Sequence, residues 1–178
     1  MTLGSHQRTV GKSQVHITPR WIIETLGPFD LDPCAADPRP WSCATVNYTQ
    51  NGLEQPWQGR VFLNPPFDRF KVALWVEKLA RHGNGIALLH ARTETEWFAP
   101  IWQSADAILF LADRIKFCRP DGTEQPANSG APAVLVAFGH ANAEVLQRSG
   151  IPGSLVTGWS VRGNRAQILS PADLFAGL

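Results

Sequence analysis

This chain has little of what would tie it to a membrane, a metal or a polyanion by bulk properties. No apolar run approaches the roughly 20 residues that cross a bilayer, and its start shows no charged n-region leading into an apolar h-region. Neither a membrane span nor a secretory signal is therefore expected. Sixteen Lys and Arg against fifteen Asp and Glu leave a net charge of +1, so no whole-molecule field draws the protein to nucleic acid. The cysteines number three, Cys34, Cys43 and Cys118. They are odd in number and too scattered for ligand spacing, so reduced thiols in a cytoplasmic setting are expected and a metal is not. There is no internal repeat and no linker-like stretch. One domain over residues 17–178 is expected behind a flexible polar arm, residues 1–16.

Apolar residues are not scarce, at 44% of the chain, and their spacing sets out alternating strands and helices. Thr18-Pro19 predicts a helix start, with Thr18 as N-cap, Pro19 at the first helical position and Trp21, Ile22, Thr25 and Leu26 forming the apolar face. Strands are expected at 29–32, 45–48, 61–63, 86–89, 107–111 (extending toward Ile115 and Phe117) and finally 133–138. Helices are expected over 68–82, on Phe70, Leu74, Val76 and Leu79, and over 94–103, with a short one from Ser170. The order implies an α/β fold whose sheet is mostly parallel, with an antiparallel strand near its C-terminal end.

The most specific signal is Val61-Phe62-Leu63 running into Asn64-Pro65-Pro66-Phe67. Two prolines cannot join a ladder, and they stiffen the chain beyond the strand. In open α/β sheets ligands bind at that end. An amide oxygen (Asn64) and a backbone carbonyl (Pro65) can both accept protons from a planar aromatic amino group, while an aromatic ring (Phe67) stacks on its base. A plain turn with a capping aromatic uses the same residue types, so the context of strand before and helix after matters.

That tetrapeptide resembles the Asn/Asp-Pro-Pro-Tyr/Phe motif of amino-methyltransferases that use S-adenosylmethionine. Together with Thr18-Pro19-Arg20-Trp21, Phe29 to Ala36, Asn51-Gly52-Leu53 with Trp57, Arg114 to Phe117 and the strand ending at Gly139, it resembles the small phage-type, Dam-like DNA N6-adenine methyltransferases over roughly residues 16–140. The resemblance implies a Rossmann-like class I methyltransferase sheet, S-adenosylmethionine as cofactor and DNA as partner, in a bacterial or phage-infected cell. It makes Asn64, Pro65, Pro66 and Phe67 catalytic. It assigns Thr18, Pro19, Asp30, Asp32, Pro33, Cys34 and Ala35 to the cofactor, with Asp32 accepting from the methionine ammonium. Thr18-Pro19 would close over the cofactor's carboxylate. Pro33-Cys34-Ala35-Ala36 departs from the family's glycine-rich form at this point. For the ribose, Asn47, Asn51 and Asp37 are all open.

Arg114, Lys116 and Arg119 form a basic segment suited to DNA phosphates, with Lys116 alternatively turned inward. Arg8, Lys12 and Arg20 offer a second basic set. No block of residues is large enough for a separate target-recognition domain, so loops 37–58 and 119–132 would supply specificity. The rival readings are methylation of an RNA base or a protein glutamine amide, and a nucleic-acid-binding module of the same fold without catalysis.

Overall fold

A computed structural model describes residues 16–68 and 71–161. The expected arm (except His16), Phe70 and the expected helix from Ser170 lie outside the described residues. A seven-stranded sheet is flanked by helices on both faces. Its strands are β1 (Leu31–Asp32), β2 (Val46–Asn47), β3 (Val61–Leu63), β4 (Gly85–His90), β5 (Ala107–Leu111), β6 (Ala133–Phe138) and β7 (Gly153–Thr157). They lie in the order β2-β1-β3-β4-β6-β5-β7.

Pairing among β2, β1, β3 and β4 is parallel, and the β4–β6, β6–β5 and β5–β7 pairings are antiparallel. The expectation of one antiparallel strand in a mostly parallel sheet is thus corrected: β6 and β7 both run against the rest. β6 slots between β4 and β5, and β7 forms the edge. The connection from β5 to β6, residues 112–132, carries no crossover helix, and the chain returns antiparallel.

Strands β3 and β6 are buried along their whole length, as is β4 up to its half-buried last residue, His90. Strands covered on both faces need continuous apolar runs, which is what these sequences supply. Alternation then divides the core. Phe62, Ile86, Leu88 and Leu135 meet Ile22 and Leu26 of α1 (Arg20–Leu26) and Ala143 and Leu146 of α4 (His140–Arg148). On the other face Leu63, Ala87, Leu89 and Val136 meet Val72, Trp75, Val76 and Leu79 of α2 (Val72–His82), with Ile101 of α3 (Ala99–Ser104).

Several element boundaries differ from expectation. Helix α1 begins at Arg20 with Pro19 as N-cap, and no side chain caps it. Thr18 is spent elsewhere, as described below. Trp21 is 47% exposed, because burying Ile22 and Leu26 four apart turns it off the apolar face. The expected 94–103 helix divides into a 3₁₀ turn, Glu96–Phe98, and α3, whose second residue is Pro100. Past β5 the chain is extended but forms only isolated bridges, Cys118 pairing with Ile17 and with Glu124. Strand 133–138 is as expected but not final. Helix α4 and β7 follow it, both too sparse in apolar residues for periodicity to mark them.

Candidate active site

Four neighbouring parallel strands end in polar groups on one edge of the sheet: Asn47 closes β2, Asp32 closes β1, Asn64 follows β3 and His90 closes β4. All other residues of β1, β3 and β4 are buried and apolar or glycine. Asp32, Asn64 and His90 are therefore polar exceptions at the mouth of dry strands, and Asn47 lies beside them on the edge strand.

Asn64 is held from both sides. Its Nδ2 donates to the His16 carbonyl and to Thr18 Oγ1, each at 3.0 Å. A carbonyl only accepts, so this contact fixes which end of the amide is nitrogen. Its backbone carbonyl accepts the Cys34 thiol at 3.2 Å. Asn64 Oδ1 is left buried with no partner among the described residues. An unpaired buried acceptor is costly, about 1–3 kcal/mol, and uncommon enough to point to a ligand. Pro65 is buried behind it, and Pro66 is exposed.

Phe67 stacks face to face on His90, with ring centroids 3.8 Å apart and planes 8° apart. Phe117 and His16 lie against the same ring at 6.1 and 6.3 Å. Burial, then Arg92 and His16, push the His90 imidazole down to about 4. It is neutral near pH 7 and can lie flat on Phe67 without carrying charge. Burial likewise lowers the pKa of His16.

Asp32 is 6% exposed. Burial raises its carboxyl to about 6, against the Cys34 N–H, the Cys43 thiol and Arg39, which favour the charged form. The Cys34 N–H donates to Oδ1 at 3.1 Å, so Asp32 also caps its own turn. Burial pushes the Cys34 and Cys43 thiols up, keeping them as S–H donors. Beside Asp32, in register on β2, Asn47 Nδ2 donates to the Ala44 carbonyl at 2.7 Å. Its Oδ1 is buried and has no partner among the described residues. Gly52 lets the 33–35 turn close: a Cβ there would lie 1.7 Å from the Pro33 carbonyl oxygen.

The structure thus brings together Thr18, Asp32, Cys34 and the Asn64–Phe67 loop, with Pro33 and Ala35 beside them in the turn. It sets Asp30 apart. That carboxylate is exposed at the start of β1, where its Oδ2 accepts the Arg60 N–H at 2.6 Å. The expected cap is corrected too: Pro19, not Thr18, is the N-cap of α1, and the Thr18 hydroxyl accepts from Asn64 Nδ2. Arg114, Lys116 and Arg119 are all exposed, while Ile115, Phe117 and Cys118 are buried. The inward alternative for Lys116 is therefore corrected, since residues 114 and 116 share a face by parity. The Arg114 guanidinium donates to the Gly130 carbonyl at 2.7 Å, bracing the 119–132 loop.

His16, Cys43 and His90 escaped the sequence reading as site residues. For His90 a signal existed, because a polar residue closing a buried parallel strand is the pattern that singled out Asn64. Among the described residues no group of three or more His, Cys, Asp or Glu side chains could hold a metal, and no helix is long and apolar enough to cross a membrane.

The family model for DNA N-6-adenine-methyltransferase (Dam) matches residues 6–151. This chain belongs to that family. No curated protein and no solved structure matches it. The match takes in every strand but β7, together with all four polar strand ends. Membership in the DNA adenine methyltransferases sets aside the RNA-base and glutamine-amide readings. The reaction is methyl transfer to N6 of adenine in DNA.

Proposed function

We propose that the chain performs this transfer from S-adenosylmethionine at the edge where β2, β1, β3 and β4 end, with Asn64 and Pro65 accepting the two protons of the adenine amino group. The observation that carries this reading is Asn64 Oδ1, buried, fixed in orientation and without a partner among the described residues. An aromatic amine is a poor nucleophile because its lone pair is delocalised into the ring. Acceptors aimed at both N–H bonds favour a tetrahedral nitrogen and stabilise the positive charge that grows on it. Pro65 and Pro66 hold the two acceptors still, and the remainder of the rate comes from alignment. A base must leave the duplex stack to reach such a loop. Phe67 would receive it by stacking.

The residues present fit the cofactor. Asp32 offers a buried carboxylate for the methionine ammonium, and Asn47 Oδ1 offers an orphaned acceptor for a ribose hydroxyl. Pro33, Cys34 and Ala35 form the turn between them. When bound, S-adenosylmethionine supplies a methyl group made electrophilic by its sulfonium. We assign residues 17–178 to a single class I methyltransferase domain of Rossmann type, acting where cellular or phage DNA is accessible.

The test is Asn64→Ala, assayed for methyl transfer to plasmid DNA and, separately, for S-adenosylmethionine binding by calorimetry. Losing one transition-state contact of this kind removes about a hundredfold or more in kcat, while binding and the melting curve should stay close to wild type. A variant keeping more than about a tenth of the rate would remove Asn64 from the reaction.

A further inference from the structure

Beyond the Asn64 loop lies a cavity of about 260 Å³ that the proposed chemistry does not use. It is lined by Trp21, by the buried Ile115 and Ile151, and by Asp113, Arg114, Lys116 and Glu124.

Trp21 stands out among the seven tryptophans, all of which are described. Trp41, Trp57, Trp102 and Trp159 each donate their indole N–H to a backbone carbonyl. Trp21 is 47% exposed and, among the described residues, makes no ring contact and no indole hydrogen bond. Asp113, Lys116 and Glu124 likewise have no side-chain hydrogen bond or ion pair among the described residues. A bare aromatic face, two free carboxylates and a free ammonium therefore converge on one hollow. The face suits stacking, the carboxylates accept from an exocyclic amino group, and the ammonium meets a phosphate. Two carboxylates alone would repel DNA, so only an amino-bearing base makes use of them.

Two chain segments lead from the lining of the cavity to the active site. Trp21 follows three residues after Thr18, the partner of Asn64, and Ile115 stands two residues before Phe117, which packs on Phe67. Two residues of extended chain span about 7 Å, roughly two base steps along a strand at 3.4 Å each.

We propose that this cavity takes a second, unstacked base of the DNA substrate, one carrying an exocyclic amino group and lying within a few nucleotides of the methylated adenine. It supplies sequence discrimination on the DNA strand. The placement relative to the adenine rests on the active-site reading above.

The experiment measures affinity and involves no chemistry. The full chain is titrated by fluorescence anisotropy against a labelled oligonucleotide and a series in which an abasic analogue steps through every position. Wild type should lose about tenfold in affinity at one position. Trp21→Ala should bind the intact strand about tenfold more weakly and be indifferent to that abasic step, while Trp21→Phe keeps most of the sensitivity. Glu124→Gln should retain the abasic response but lose the preference for cytosine or adenine over thymine there. Identical abasic profiles for wild type and Trp21→Ala, or a flat wild-type profile, would overturn the proposal. Should Asn64→Ala methylate at the wild-type rate, the active-site reading falls while a positive Trp21 scan stands. An inactive Asn64→Ala with a flat Trp21 scan overturns only the cavity.

Discussion

Asp32 and His90 are single residues whose protonation decides what they can do. Burial holds the Asp32 carboxyl at about 6, so in the free protein it is mostly ionised only above that pH. A cationic ligand needs the ionised form. S-adenosylmethionine affinity should therefore fall as pH drops below about 6, and Asp32→Asn should bind weakly with no such dependence. Calorimetry between pH 5 and 8 reads both, and an unchanged dissociation constant in the variant would move the ammonium site elsewhere. His90 acts through Phe67. An aromatic pair contributes about 0.5–1.5 kcal/mol beyond its buried area. His90→Ala should thus raise KM for DNA by about two- to tenfold with little change in S-adenosylmethionine affinity, and His90→Phe should restore it. Loss of cofactor binding in His90→Ala would instead mark a general collapse of the strand edge.

Among the elements, the 112–119 segment and the 33–35 turn are the ones that sequence periodicity misread or could not see. The segment is extended and exposes three cations, yet it pairs only at Cys118. If Arg114, Lys116 and Arg119 meet phosphates, replacing all three with Ala should flatten the salt dependence of DNA binding by about three units of slope. Affinity should fall alike for all sequences, since phosphate contacts position the duplex without reading it. Unaltered salt dependence would shift attention to Arg20 and the basic residues before it. For the turn, Gly52 is decisive because its backbone meets the Pro33 carbonyl. Gly52→Ala should lower stability by about 1–3 kcal/mol through overpacking, and should weaken S-adenosylmethionine binding by displacing the Asp32 loop. Denaturant melts and calorimetry on one preparation check both effects.

Across the whole molecule the buried ionisable groups oppose one another. Asp32 carries a raised pKa, so the folded state holds a proton that the unfolded state loses between about pH 4 and 6. Its contribution to stability falls as pH rises through that window. His90, lowered to about 4, and His16, also lowered, do the reverse. The unfolded state takes up protons that these folded imidazoles refuse, and stability rises with pH up to about 6.5. The wild-type urea midpoint should therefore change little between pH 4 and 6 on account of these groups. Asp32→Asn should steepen it upward with pH, and His90→Phe should tilt it the other way. Parallel midpoint profiles in the two variants would show that the assigned burial does not govern either group.

The sequence by itself determined the α/β class, the strands at 61–63, 107–111 and 133–138, and the proline-stiffened segment that follows the first of them. Each of these rests on local physics: continuous apolar runs, β-branched residues, and prolines that cannot enter a ladder. It also placed Asp32 at a strand end next to a tight turn. Only the tertiary structure decided that β6 inserts between β4 and β5, that Asp30 belongs with Arg60, and that Thr18 serves Asn64 in place of a helix cap. Those outcomes depend on which strand lies beside which, a non-local choice that spacing along one chain does not encode. The same holds for the four polar strand ends. Asn47, Asp32, Asn64 and His90 are scattered over more than forty residues, and the parallel order of their strands makes them one edge.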